Sequence, residues 1–457
     1  MPTVSFYTLG CRSNQYETDR MAKTAACLGF ELVPYPAKAD IYVINTCTVT
    51  GNSDKKSRHT IRHAKKLNPN AKVIVTGCYV EADHFNLKCA DVVLGNKDKF
   101  NIANHLTPSR LSSGHPSPRS GEGNESAEGG ERGEACPSPR VRANLMVEDG
   151  CENFCSYCIV PYVRGKVRSR PMDEILAEAK EMVKDGVKEI VLTGINLGEY
   201  NLTPSRLSSG HPSPLCGEGN ESPACGGGER GEDLSSLINE LSNIDGLLRI
   251  RLSSIEPQYV TDELIKTVRD NPKVCKHLHI PMQSGDDKVL KAMNRTYTAE
   301  KYRDMVQGIR DKIKDVAITT DIIVGFPGED DKAFKNTCKL VNALQFSRIH
   351  IFSYSDRPGT AAEKMKDKVD PKTIASRFSV LNKLREKYML NFHRSFKGKP
   401  MDVLIESIDK KTSLSEGLTS NYIRVFLDGQ AKAAAGKIVK AKFKRSDGEN
   451  VIASPVV

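Results

Sequence analysis

The sequence predicts an α/β protein in three parts: an N-terminal doubly wound parallel sheet, a central partial (β/α)6 barrel and a small C-terminal β-barrel. Three observations carry this expectation. Strand and helix patterns alternate through the first hundred residues. The alternation restarts near residue 141 and continues through six further strand candidates. The final stretch, 396–457, holds short alternating strands set off by glycine and polar turns.

In the first part, VSFYTL (4–9) reads as a strand and Tyr16–Leu28 as a helix. IYVIN (41–45) is the next strand, a basic helix follows over about 54–67, and KVIVTG (72–77) is the third strand. Each of these strands runs directly into a cysteine: Cys11 after TLG, Cys47 after NT, Cys78 after TG. The carboxyl ends of parallel strands share one edge, so the three thiols can converge from distant sequence positions. Cys27, inside a helix pattern, and Cys89, before a later strand, do not share this placement.

The strand candidates of the central part are ANLMVE (143–148), KEIVLTG (188–194), LLRIRLSS (247–254), KHLHIPM (276–282), AITTDIIVGF (317–326) and RIHIFSY (348–354). Chemistry is expected on loops at their C-terminal ends. A long amphipathic segment, 371–395, leads into MDVLIES, YIRVFLDG, GKIVKAKFKR and VIASPVV, the strands of the terminal barrel.

The expected boundaries are 1–105, 141–370, a connecting helix over 371–395, and 396–457. Two polar units interrupt them. LTPSRLSSGHPSP occurs at 106–118 and identically at 202–214, and each copy continues to a GERGE tail, so the units span 106–134 and 202–232. Their Gly/Pro/Ser-rich composition predicts disordered surface insertions that the fold does not need. Cys136, Cys216 and Cys225 lie in or beside them and are set aside as ligands.

The chain has 457 residues, 39% hydrophobic and 27% charged, with a net charge of +10. Such a balance excludes a disordered or fibrous chain and permits a polyanionic partner. No apolar run approaches the roughly 20 residues that span a bilayer. The N-terminus lacks a basic region followed by an apolar stretch, so a cytoplasmic protein without a membrane partner is expected. Thirteen cysteines in a reducing compartment point to metal or cluster ligation rather than disulfides.

Cys151-Glu-Asn-Phe-Cys155-Ser-Tyr-Cys158 is the strongest single signal. Three close thiolates can hold three irons of a [4Fe–4S] cluster and leave the fourth open for chemistry. An incomplete zinc site is the alternative, but zinc prefers paired C-x2-C units with a closing Cys or His. The stretch GCENFCSYCIVPYVRGKVRSRP resembles the core motif of the radical S-adenosylmethionine enzymes, in the form found in the methylthiotransferases. TLGCRSNQYETD, INTCTVT and TGCYVE extend the resemblance to the N-terminal part, and the C-terminal segment is similar to a TRAM barrel.

The resemblance implies S-adenosylmethionine on the open iron of the first cluster. It also implies a second [4Fe–4S] cluster on Cys11, Cys47 and Cys78, an electron donor, a sulfur source and a monomeric enzyme. Cofactor-contact candidates at strand ends are Thr193 and Gly194, Ser254 and Glu256 in LSSIEP, Gln283 and Ser284 in HIPMQSG, and Gly325 in DIIVGFPGE. Each could equally be an ordinary turn or cap residue.

Three substrates occur in the family: tRNA isopentenyladenosine, tRNA threonylcarbamoyladenosine, and an aspartate of a ribosomal protein. GCRSNQYETDRM with NTCTVTGNSDKKSR most resembles the threonylcarbamoyladenosine branch, although Arg12-Ser13 replaces a usual Lys-Val pair. This implies the tRNA anticodon stem-loop as partner. Lys55, Lys56, Arg58 and Arg62, with Lys65, Lys66, His59 and His63, form a basic helix that can face phosphates. The terminal barrel offers Lys442, Lys444 and Arg445, with Lys437 and Lys440, and Tyr422 and Phe443 for stacking. A non-catalytic scaffold broken by the insertions is the contrasting possibility, opposed by the presence of all six ligand cysteines.

Overall fold

A computed structural model describes residues 1–82, 87–106, 140–201, 233–409, 412–428, 434–446 and 448–456. Leu106, placed by the repeat in the first insertion, is buried in the N-terminal core. The rest of both polar units, with Cys136, Cys216 and Cys225, lies outside the described residues. No helix among the described residues is long and apolar enough to cross a membrane. The chain forms two compact units: one of residues 1–139 with 162–164, the other of 140–161 with 165–457.

The first unit is a five-stranded, wholly parallel sheet in the order β2-β1-β3-β4-β5, from β1 (Thr3–Thr8), β2 (Glu31–Leu32), β3 (Ile41–Thr46), β4 (Lys72–Gly77) and β5 (Val92–Leu94). Helices α1 (Arg12–Cys27), α2 (Gly51–Leu67) and α3 (Cys78–Ala82) connect them. The apolar character of β3 on both faces explains its central place. Ile41 and Val43 join Met21 and Ala25 of α1, while Tyr42 and Ile44 join Ile61 and Ala64 of α2.

Helix α1 starts four residues before the apolar periodicity does. Its first turn is polar yet buried at Ser13, Asn14 and Glu17, so it carries no amphipathic signal. Thr50, whose hydroxyl accepts from Ser53 N, likewise starts α2 at Gly51 rather than at 54.

In the second unit, β6 (Arg142–Met146), β9 (Glu189–Thr193) and β10 (Arg249–Leu252) form one parallel sheet. Strands β11 (His277–His279), β12 (Ala317–Val324) and β13 (Arg348–Ser353) form another. Parallel bridges Ile250–Val274 and Ser254–His279 join the two into one curved wall of six strands. Among the described residues no pairing closes β13 onto β6, so the barrel is partial, as the sequence predicted. The long helix, residues Pro371–Arg394, is capped by Asp370 and leads into a closed barrel ordered β14-β15-β16-β18-β17. Its strands are β14 (Pro400–Ile408), β15 (Ser415–Thr419), β16 (Arg424–Leu427), β17 (Ile438–Ser446) and β18 (Asn450–Pro455).

Strand β15, SEGLT, lacks the β-branched alternation that marks a strand and was not anticipated. Its Gly417 lets the chain approach β14, because a Cβ there would lie 2.3 Å from Leu404 O. Phe443, expected to stack on RNA, is instead 3% exposed in this barrel's core. Tyr422 is also engaged elsewhere: its ring stacks on His277 at 4.4 Å and lies 4.9 Å beneath the Arg251 guanidinium.

These contacts belong to a seal at the floor of the partial barrel. Arg251 Nε donates to Glu189 Oε1 at 2.6 Å, and both side chains are fully buried. Arg249 donates to Leu418 O at 2.6 Å, and Arg251 to Thr419 O and Ser420 O at 3.0 Å. The end of β15 with Ser420, and Asp402 O of β14 at 2.8 Å from Arg249, thus accept the guanidinium protons that Glu189 leaves over. Burial alone would raise the Glu189 carboxyl, but Arg251 outweighs it and holds the group below its ordinary range. Glu189→Gln would strand both guanidinium groups, and is expected to cost about 3–5 kcal/mol in urea unfolding. The wild-type advantage should shrink as pH falls through the depressed pKa of Glu189. A variant as stable as wild type at neutral pH would refute the seal.

Candidate active site

Two sets of three thiols stand at the carboxyl ends of parallel strands, one in each unit. In the first unit Cys11 precedes α1, Cys47 follows β3 and Cys78 begins α3. Gly10, at φ +105°, turns the chain from β1 so closely past Cys47 that a Cβ would lie 3.1 Å from its Sγ. Asn14 ties the loops together: its Nδ2 donates to Leu9 O at 2.8 Å and Thr46 O at 2.9 Å. The Cys11 thiol lies 3.5 Å from Asn14 Oδ1. Ser57 of α2 brackets Cys47, donating to its carbonyl at 3.1 Å and accepting from its N–H at 3.4 Å.

Behind these thiols lies a buried charge cluster that sequence reasoning missed. Glu17 pairs with Lys99 and, at 2.9 Å, with Arg164, all three side chains being at most 2% exposed. Arg164 also donates to Asn14 Oδ1 at 2.7 Å. Burial raises the Cys78 thiol to about 11, and the adjacent Arg164 works against that rise. A polar helix start followed by a lone Arg gives no periodic signal, although the polar run RSNQYE was visible.

In the second unit, β7 (Glu148–Asp149) and β8 (Arg168–Ser169) pair antiparallel and close the base of the loop carrying Cys151, Cys155 and Cys158. Burial raises all three thiols, Cys158 to about 12. Arg295 opposes this at Cys155, donating to its Sγ at 3.2 Å. Glu256 pairs with Arg295, which places one sequence candidate directly behind a thiol.

Beside Cys151 lies a set of under-used acceptors. Glu148 accepts from Asn196 N at 2.9 Å through Oε2, while its Oε1 has no partner. Neither side-chain atom of Asn196 is hydrogen-bonded, and Glu199 uses Oε1 for the Tyr259 hydroxyl while leaving Oε2 unmet. Burial raises Glu148 to about 9 and Glu199 to about 7. Gly194 belongs here, because a Cβ would lie 2.5 Å from Glu148 Oε2. Glu148, Asn196 and Glu199 were not anticipated; a Glu closing the apolar run ANLMVE was the available signal.

The other candidates divide. Thr193 turns its hydroxyl to Val191 O, and Gln283, at φ +62°, bonds through its backbone to β12 at Asp321 and Ile323. Ser254 is half-buried and bridges to β11. Ser284 is buried and faces Thr337 of the helix Asp331–Leu344, and a Cβ on Gly325 would collide with Ile374. These last two pack against neighbouring helices. Of the basic candidates, Lys55, Lys56, Arg62, Lys442, Lys444 and Arg445 are exposed, and Lys444 pairs with Asp428 at 3.0 Å. Arg58 is half-buried and donates to the Tyr79 hydroxyl at 3.1 Å.

The raised Glu148 gives a pH test on the ligand-free protein. Its proton stabilises the fold fully below the ordinary value near 4.5, and that contribution drains away as pH climbs toward about 9. Glu148→Gln cannot ionise, so its melting temperature should gain on wild type between about pH 6 and about pH 8.5. A constant difference across that interval would argue against a neutral carboxyl.

Residues 146–341 match the radical SAM superfamily, and residues 3–95 match Uncharacterized protein family UPF0004. The chain is 35% identical to threonylcarbamoyladenosine tRNA methylthiotransferase MtaB of Bacillus subtilis (strain 168), over 98% of this chain and 94% of that protein. The protein of the same name from Aquifex aeolicus (strain VF5) is also 35% identical, over 96% and 99%. A tRNA-2-methylthio-N(6)-dimethylallyladenosine synthase of Thermoanaerobacter pseudethanolicus (strain ATCC 33223 / 39E) is 34% identical, over 97% and 92%. Among solved structures, the radical S-adenosylmethionine methyltransferase TsrM from Kitasatospora setae superposes with a TM-score of 0.52 over 79% of this chain and 77% of its own. At 14% identity, that likeness concerns the fold. With its thiol triplet on the first strand-end loop of a partial barrel and relatives matched over nearly their full length, the chain belongs to the radical S-adenosylmethionine methylthiotransferases.

Proposed function

We propose that the chain converts tRNA N6-threonylcarbamoyladenosine next to the anticodon to its 2-methylthio derivative, with two [4Fe–4S] clusters and S-adenosylmethionine. The observation that carries the substrate reading is the GCRSNQYETD and NTCTVT pair around Cys11 and Cys47, together with relatives named for that substrate. A dimethylallyladenosine-type substrate is the second reading, because relatives so named are nearly as similar.

The donor sets fit the cofactors. Three free thiols stand in each set with no fourth protein ligand called for, the donor type and number that a [4Fe–4S] cluster with one open iron takes. Cys151, Cys155 and Cys158 would hold one cluster, and Cys11, Cys47 and Cys78 the other. The unmet oxygens of Glu148, Glu199 and Asn196 lie where a cationic amino group would complete them. Bound there, cluster and S-adenosylmethionine together supply one-electron reduction and removal of a hydrogen atom.

The chain's own residues do the remaining work. Burial keeps the thiols protonated until metal displaces their protons, so loading releases acid and is favoured by rising pH. Arg295 and Arg164 place guanidinium charge against one thiol of each set and favour its ionised form. The exposed lysines and arginines of α2 and β17 offer phosphate contacts in their respective units.

Anaerobically reconstituted protein should carry about eight irons, and about four after alanine replaces either cysteine triplet. Loss of all iron from either triple variant would contradict two independent sites. Substrate is tested by complementation of strains lacking each tRNA enzyme, read by nucleoside mass spectrometry. The expected product is 2-methylthio-threonylcarbamoyladenosine. Restoration of the isopentenyl product alone would overturn the substrate and leave the chemistry standing.

A further inference from the structure

The last three strands of the partial barrel bring together His279, Asp321 and His350. Strand alternation sets their direction. On β12, Thr320 faces outward, where its hydroxyl meets Tyr302 of the helix Ala299–Lys312 at 3.2 Å. Thr319 and Asp321 therefore point to the inner wall. His350 is the register partner of Asp321 on β13, and the rings of His279 and His350 are 5.7 Å apart. One ligand-capable atom from each of the three residues lies within 4.8 Å of the others, the only such grouping of His, Cys, Asp and Glu among the described residues.

Three features favour a bound ion over a simple hydrogen-bonded pair. His279 Nε2 is 3.3 Å from Asp321 Oδ1, long for a charge-assisted hydrogen bond. Two ligands at 2.0–2.1 Å from a tetrahedral ion stand about 3.3 Å apart, so His279 and Asp321 need hardly move on loading, with His350 closing in from within 4.8 Å. The other nitrogen of His279 is already engaged, with Nδ1 2.9 Å from Thr319 Oγ1. That is the outer partner a ligating imidazole uses to fix its ring and tautomer. Thr319 is itself held by His277 Nε2 at 3.0 Å, so the support reaches down to the barrel floor. Finally, the three ligands come from three adjacent strands of one parallel sheet, a rigid base for a metal.

We infer that His279, Asp321 and His350 form a divalent transition-metal site on the inner wall of the barrel. Two imidazoles with one carboxylate select zinc or iron(II) over magnesium or calcium, and leave further coordination positions facing the barrel interior. The site is separate from both cysteine sets and does not depend on which nucleoside the enzyme modifies.

Zinc is the probe. Full-length, cluster-reconstituted protein is dialysed anaerobically against zinc, then against a weak chelator, and zinc and iron are measured together. Wild type should retain one zinc per chain beyond its iron. Asp321→Asn and His350→Ala should keep their iron and lose that zinc. Thr319→Val should weaken zinc roughly ten- to a hundredfold by freeing the His279 ring. Should one ligand variant fail to keep its iron, the other decides. The site is overturned if wild type retains no zinc, or if both ligand variants retain as much as wild type.

Discussion

Parallel pairing obliges every strand of a layer to end at the same edge, and the chemistry of this protein is arranged around that obligation. In each unit the chain leaves strand after strand on one side, and the thiols stand in the loops that result. No local motif could bring Cys11, Cys47 and Cys78 together; the sheet does it by direction alone. Cys151, Cys155 and Cys158 are adjacent in sequence, yet the loop that carries them is fixed by the same edge and by the short ribbon at its base.

Such an edge is also where burial and polarity compete. Strand-end loops carry backbone and side-chain groups that ordinary packing would leave unpaired at a cost. In the first unit part of the competition is resolved internally, since Glu17 is matched by Lys99 and Arg164, and Asn14 by two carbonyls, while Asn45 Oδ1 and Thr76 Oγ1 stay without partners. In the second, Glu148, Asn196 and Glu199 keep buried atoms without partners. A protein tolerates unmet groups mainly where a ligand will meet them.

Legibility in sequence followed the source of each signal. Strands with apolar runs, such as Ile41–Thr46 and Ala317–Val324, announce themselves, and so do cysteines placed where those runs stop. The start of α1 did not, because a buried polar first turn mimics a loop. Strand β15 did not, because Gly417 is needed for close approach and removes the expected side chain. Phe443 and Tyr422 were misread for different reasons: Phe443 lies between two lysines but strand alternation turns its ring into the core, whereas Tyr422 sits in the β15–β16 turn, where its ring stacks on His277. The pairing of Arg295 with Cys155 spans 140 residues and is invisible without the fold.

The seal beneath the partial barrel bears on how this architecture could be inherited. Carbonyl oxygens of Asp402 in β14, of the end of β15 and of Ser420 complete Arg249 and Arg251, and Tyr422 covers His277. The terminal barrel is thus a stopper as well as an appendage. Backbone carbonyls rather than variable side chains do most of the accepting, so its outer strands can drift in charge without loosening the fit. Exchange of this module between relatives should be free at the outer surface of β17 and restricted at Asp402 and at Leu418, Thr419 and Ser420. A lineage could change the partner the barrel meets and keep the plug.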